Sequence, residues 1–179
     1  MASWYFTIDE IAAQNDWFVR LVFLRIYSTE TMEIGNRRKY IIPLTKINKK
    51  ELAGFADMSR PTIQKYADNL PLGEYSFVPL LGRTLEYDTT QIDRIIEAAK
   101  TMHGGARNDF VKVVFYTIGL VNRHSGTYSH SLKQFAEELY LNYTTVQKHI
   151  DKAIELKLFN RSQVGNSFSG ESSTYSFTS

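Results

Sequence analysis

Residues 50–70, KELAGFADMSRPTIQKYADNL, recur without a gap at residues 133–153 as KQFAEELYLNYTTVQKHIDKA. A chain carrying one pattern twice is expected to build two similar units, which restricts its fold more than composition does. In this pairing Phe135-Ala136 falls on Leu52-Ala53, Asn142 on Ser59, and Asp151 on Asp68. Thr145-Val146-Gln147-Lys148 falls on Thr62-Ile63-Gln64-Lys65. A second match lies upstream in the same order: FVKVVF at 110–115 repeats FVRLVF at 18–23, each shortly after an Asn-Asp pair.

Each copy reads as two short helices with a tight break. In the first, Leu52, Ala53 and Ala56 form one apolar face, Met58-Ser59 interrupts, and Ser59 caps the next helix. Pro61 is tolerated in the first turn, where its missing N–H would have no intrahelical partner. Ile63, Ala67 and Leu70 repeat at i, i+4, i+7 and give the second helix a core side. Arg60, Thr62, Gln64 and Lys65 remain on the outward side, and Tyr143, Thr144, Gln147 and Lys148 are their counterparts, with Asn142 as cap. An outward face of Arg, Thr, Gln and Lys suits a DNA major groove, where Gln pairs with adenine and Thr meets a thymine methyl or a phosphate.

The 179 residues, 43% hydrophobic and 13% aromatic, suffice for two small domains. Absence of cysteine removes disulfides and thiolate metal sites and fits a reducing cytoplasm. No apolar run reaches membrane-span length and no signal layout opens the chain, so a cytoplasmic protein is expected. A net charge of +2 says little, but eight Lys/Arg between Arg37 and Lys65 face only Glu51 and Asp57 there. That local excess can neutralise phosphates and make affinity depend on salt.

Along the chain, Trp4-Tyr5-Phe6 reads as an aromatic lead-in to a short helix over 8–13, followed by a very apolar helix over 16–28. A loop over 29–36, a short strand at 40–42, the two-helix stretch and a hairpin from 75 to 87 with Arg83 at its tip are expected next. Thr89 or Thr90 then caps a helix to Met102 that has no counterpart in the second half and reads as a connector. The second unit repeats the order: a scaffold helix from about 106, a strand at 127–129, the two helices, and a hairpin of 160–164 with 174–177.

The order helix, strand, helix, helix, hairpin resembles the winged-helix version of the helix-turn-helix, most clearly in SLKQFAEELYLNYTTVQKHIDKAIELKLFNRSQVG. The expected fold is mainly α with small β-hairpins (α+β): a winged-helix unit over 1–88, a connector helix over 89–105 and a second unit over 106–179. The resemblance implies recognition helices in the major groove and hairpins touching backbone or minor groove. Its layout is similar to that of plasmid and phage replication initiators.

The expected DNA contacts are therefore Lys50, Ser59, Arg60, Thr62, Gln64, Lys65, Asn142, Tyr143, Thr144, Thr145, Gln147 and Lys148. Arg37, Arg38 and Lys39 would hold backbone, and Arg83 and Arg161 would sit on the wings. Catalysis is not expected: the four histidines lack metal-ligand spacing, no phosphate loop is present, and Glu137-Glu138 adjoin on a helix facing different ways. No cofactor or metal is expected. The partner expected is double-stranded DNA, with a homodimer or a further protein as additions. A transcriptional regulator is the first reading; a replication initiator, a plasmid-transfer accessory protein and a docking module without DNA binding are the alternatives.

Overall fold

Alternation rather than helical period governs the first residues. In the computed structural model, Trp4 and Phe6 are buried while Tyr5 is only half so, which makes the aromatic lead-in a strand, β1 (Ser3–Thr7). The structure describes residues 3–13, 17–27, 30–34, 37–42, 49–67, 73–77, 84–163 and 173–177. After β1 come α1 (Ile8–Ala13), α2 (Trp17–Tyr27), β2 (Glu30–Ile34), β3 (Arg37–Ile42), α3 (Lys49–Ala56), α4 (Arg60–Ala67), β4 (Gly73–Phe77) and β5 (Thr84–Asp88). Then follow α5 (Thr89–Ala99), α6 (Gly104–Arg123), β6 (Thr127–His130), α7 (Leu132–Leu139), α8 (Tyr143–Glu155), β7 (Asn160–Gln163) and β8 (Ser173–Ser176). The architecture is mainly helical with small antiparallel sheets, ordered β1-β5, β2-β3-β4 and β6-β8-β7 among the described residues.

The strands of the first half correct the sequence reading in two further places. Residues 30–34, expected in a loop, form β2 and pair with β3 from Glu30↔Ile41 to Ile34↔Arg37. The 75–87 hairpin does not form: β4 pairs with β3, and β5 pairs with β1 instead. The pairing Trp4↔Tyr87 and Phe6↔Leu85 places four buried side chains on one face, while Tyr5 Oη donates to Glu86 Oε1 at 2.9 Å on the other. Burying that apolar face decides the partner. Arg83, the expected hairpin tip, lies outside the described residues, as do Asp68 and Leu70.

The expected connector is also a core element. Asp88, not Thr89 or Thr90, caps α5 through a capping box: Gln91 N donates to Asp88 Oδ1 at 2.7 Å, and Asp88 N donates to Gln91 Oε1 at 3.1 Å. Ile92, Ile95, Ile96, Ala98 and Ala99 are buried, and Arg25 of α2 forks onto Asp93 at 2.7 and 3.1 Å. The buried side chains form one cluster running through both halves.

Its spine is α6, a 20-residue helix buried at Arg107 and continuously from Phe110 to Val121. A helix apolar all round must be packed all round, and α1, α2, α5, β5, α7 and α8 all touch it. On one side Phe115 stacks on Tyr87 at 4.0 Å and meets Phe6 and Trp17 edge-on at 5.2 and 5.5 Å. On another side Tyr116 and Phe135 meet edge-on at 5.2 Å, and Tyr116 Oη lies 3.1 Å from His130 Nε2. Gly119 lets β5 approach: a Cβ there would stand 2.7 and 2.8 Å from Leu85 Cδ1 and Cβ and would also strike the Tyr87 hydroxyl. Gly119→Ala should therefore force β5 away from α6 and lower stability by about 1–3 kcal/mol in a urea titration. An unchanged midpoint would mean that the strand yields at no cost.

Candidate nucleic-acid interface

The two helix-turn-helix segments are built on the same turn. After α3, Asp57 turns left-handed (φ 52°), Met58 N donates to Ala53 O at 3.0 Å, and Asp57 N donates to Gly54 O at 3.3 Å. After α7, Tyr140 turns left-handed (φ 55°) and Leu141 N donates to Ala136 O at 3.1 Å. Both ends share the long 6→1 bond of the Schellman pattern, completed by Asp57 N to Gly54 O after α3 and by Tyr140 N to Ala136 O after α7, which satisfies the last carbonyls and fixes the angle of the next helix. The residues carrying these bonds occupy equivalent places in the repeat, Ala53 and Ala136, Asp57 and Tyr140, Met58 and Leu141.

The next helix also starts alike. Ile63 N donates to Ser59 O at 3.0 Å and Val146 N to Asn142 O at 3.0 Å. Ser59 Oγ accepts from Thr62 N at 3.3 Å, and Asn142 Oδ1 accepts from Thr144 N at 2.9 Å, so both expected caps form. Leu52, Ala56 and Ile63 are buried in one segment and Phe135, Leu139 and Val146 in the other.

The outward faces divide the expected contact residues. Lys50, Arg60, Gln64 and Lys65 are exposed on the first segment, and Tyr143, Thr144, Gln147 and Lys148 on the second. Thr62 and Thr145 are half-buried, and the Thr62 hydroxyl lies 2.7 Å from Ser59 Oγ, so Ser59, Thr62 and Asn142 are engaged within their own turns. Arg161 on β7 folds back onto α8, where its Nη2 meets Asp151 Oδ1 at 3.1 Å. Arg37, Arg38 and Lys39 lie on β3, the middle strand of its sheet.

The two segments differ in charge and in surroundings. Residues 49–67 carry Lys49, Lys50, Arg60 and Lys65 against Glu51 and Asp57, whereas 132–155 carry Lys133, Lys148 and Lys152 against Glu137, Glu138, Asp151 and Glu155. The face of α8 forms one wall of an open groove of about 690 Å³, whose other wall is the corner between α5 and α6 at Thr101, Met102, His103 and Ala106. Beside α3 lies a shallower basin of about 530 Å³ bounded by Lys50, Glu51, Gly54, Phe55 and Lys100. Phe55, Tyr140 and Tyr143 are the large apolar side chains left exposed among the described residues, Tyr140 at 83%.

Two of these surface features work against the folded chain. An aromatic residue in the left-handed region costs roughly 1–2 kcal/mol, and Tyr140 takes that conformation with its ring in solvent. A glycine inside a helix costs about 0.8–1.0 kcal/mol relative to alanine. Gly54 sits inside α3 with nothing among the described residues within 4 Å of where a Cβ would stand.

One residue that the sequence reading missed holds the first segment in place. Arg107, 4% exposed in the first turn of α6, donates from Nη1 to Ala56 O (3.1 Å) and Asp57 O (3.3 Å), the carbonyls that end α3. Its Nε donates to Met102 O (2.7 Å) and Ala99 O (3.1 Å) behind α5, and its Nη2 reaches Lys100 O at 3.5 Å. The guanidinium lies 5.0 Å from the Phe18 ring centre and 3.7 Å from Asp57 Oδ2. Burial lowers its pKa from the usual arginine value and Asp57 opposes that shift. The signal for it was a cation in the first turn of a helix, where the dipole disfavours one.

The second segment is anchored by His149 of α8, 1% exposed, whose ring meets Phe110 of α6 edge-on at 5.9 Å. Burial lowers its pKa, with Asp109 opposing and Lys148 reinforcing the shift. Among the described residues no group of three or more His, Asp or Glu is placed to hold a metal ion, and no helix is long and apolar enough to cross a membrane. No protein-family model, curated protein or solved structure matches the chain.

Proposed function

We propose that this protein binds double-stranded DNA through two helix-turn-helix heads in one chain, each the reading part of a winged-helix unit, and that it acts as a transcriptional regulator. The observation that carries the reading is the shared turn: equivalent residues make the same hydrogen bonds at Ala53/Ala136 and Ser59/Asn142. Such a turn fixes how the second helix stands off the body, and in both heads that helix exposes Gln and Lys at matched positions, Gln64-Lys65 and Gln147-Lys148. The second half also follows the winged-helix order, with α6, β6, α7 and α8 followed by β7 and β8, and β8 central in its sheet. The first half shares the scaffold helix, the strand before the two helices and the strand after them, but sends its last strand, β5, to β1. Replication initiation or plasmid transfer would use the same device.

The phosphate-dependent share of affinity falls to the first head, where the basic residues concentrate. The test is binding of the intact chain to a duplex pool over a range of salt, followed by selection of bound sequences. Lys65→Ala should weaken binding to all duplexes and reduce the slope of log K against log salt by about one. Gln64→Ala should instead relax preference at one base pair, by about 1–3 kcal/mol if the contact is bidentate. Absence of duplex binding at low salt would overturn the reading; binding that both variants leave unchanged would move the reading surface off α4.

A further inference from the structure

We infer, on the DNA reading above, that the two heads read different bases at the mouths of α4 and α8. Arg60 takes a guanine and Tyr143 a thymine methyl, so the target is a pair of related but unequal half-sites. Arg60 and Tyr143 are equivalent in the repeat, and each is the first residue of its helix. Both side chains are exposed. The first turn of a helix seated in the major groove is the part that meets base edges. Four residues on, Gln64 and Gln147 are exposed on the same side of the helix as these two. The heads thus share one reading residue and differ at the other.

Each mouth is built against the preference of the folded chain. Arg60 brings a cation to the positive end of α4, whose first turn holds no acid. Asp57, in the turn before it, lies 3.7 Å from Arg107, and no ion pair engages Arg60 among the described residues. Its planar fork matches guanine O6 and N7. In the second head the same mouth is aromatic. Tyr140 and Tyr143 are two of the three large apolar side chains left exposed among the described residues, and Tyr140 takes a left-handed backbone that suits it poorly. A phenol ring has no cationic fork for guanine, but its apolar edge gains by covering the C5 methyl of thymine. Four residues of helix advance about 6 Å, less than two base-pair steps of about 3.4 Å. The base pair that differs therefore lies within two of the one the glutamine reads.

Selection of bound sequences from a random duplex pool by the intact chain tests this. It should return two half-sites that share one base pair and differ at a neighbouring one, guanine in the first and thymine in the second. Arg60→Tyr should exchange that guanine for thymine, and Tyr143→Arg should exchange the thymine for guanine, each bringing the two half-sites into agreement. Preference for the original base should fall on the order of tenfold in Arg60→Tyr. Circular dichroism checks that both variants are folded. Uracil in place of the thymine removes only the methyl; it should weaken binding by the wild type about fourfold and leave Tyr143→Arg unaffected. A single half-site, two identical ones, or variants that still select the wild-type sequence would each overturn the inference while duplex binding stands. So would an Arg60→Tyr chain that weakens on every duplex alike, the mark of a phosphate contact. Failure of the intact chain to bind any duplex at low salt would overturn it together with the reading beneath it.

Discussion

Arg107→Ala is expected to destabilise the protein by about 3–5 kcal/mol, the range for removing one partner from a buried charged network. The guanidinium donates to the backbone carbonyls of Ala56, Asp57, Ala99, Lys100 and Met102, and none of these finds a donor in an alanine methyl. Three segments would lose their common tie: the end of α3, the α5–α6 corner and the start of α6. Urea unfolding followed by far-UV circular dichroism measures the loss. Arg107→Lys keeps the charge but not the planar fork, and should recover only part of it. A loss below about 1 kcal/mol would show that the carbonyls are satisfied by other means.

Acid should unfold the protein through His130. This ring is 3% exposed, its Nδ1 has no partner among the described residues, and burial holds its pKa at about 4 against the ordinary 6.5. Above pH 6.5 the ring is neutral in both folded and unfolded chains and contributes nothing to the pH dependence. Between 6.5 and 4 only the unfolded chain takes up the proton, so stability falls by about 1.4 kcal/mol per pH unit, roughly 3 kcal/mol in all. His149, lowered by burial in the same direction, adds to the slope. Unfolding free energies at pH 7.5, 6, 5 and 4.5 should trace this fall, and His130→Gln should flatten it while lowering stability at neutral pH. A slope unaltered by that substitution would place the acid sensitivity elsewhere.

What could be read from the sequence was what is settled locally. The helix-turn-helix segments were legible because apolar spacing, Ser59 and Asn142 as caps, and the break between helices all act within a few residues. The pairing of strands was not. Trp4, Phe6, Leu85 and Tyr87 carry a clear alternation, but nothing in either stretch names the other as its partner across some eighty intervening residues. β2 was missed because its glutamates obscure the alternation; Gly35-Asn36, a hairpin signal between two short runs, was the overlooked cue. Arg107 stood out only as a cation in the first turn of a helix; its role depends on where the end of α3 arrives, a fact of packing and not of pattern. Among the contact residues, Arg161 illustrates the same limit: its charge was visible, its engagement with Asp151 was not.

Arg107 grips the end of α3, and Phe110 receives the ring of His149 from α8, so both heads are braced against the same turn of α6. Arg107 and Phe110 are three residues apart on that helix, so side-chain packing on one turn sets the spacing of the pair. If the proposed duplex binding holds, a DNA that touches both heads would have to follow the spacing this packing sets, and the cost of bending it would enter the affinity.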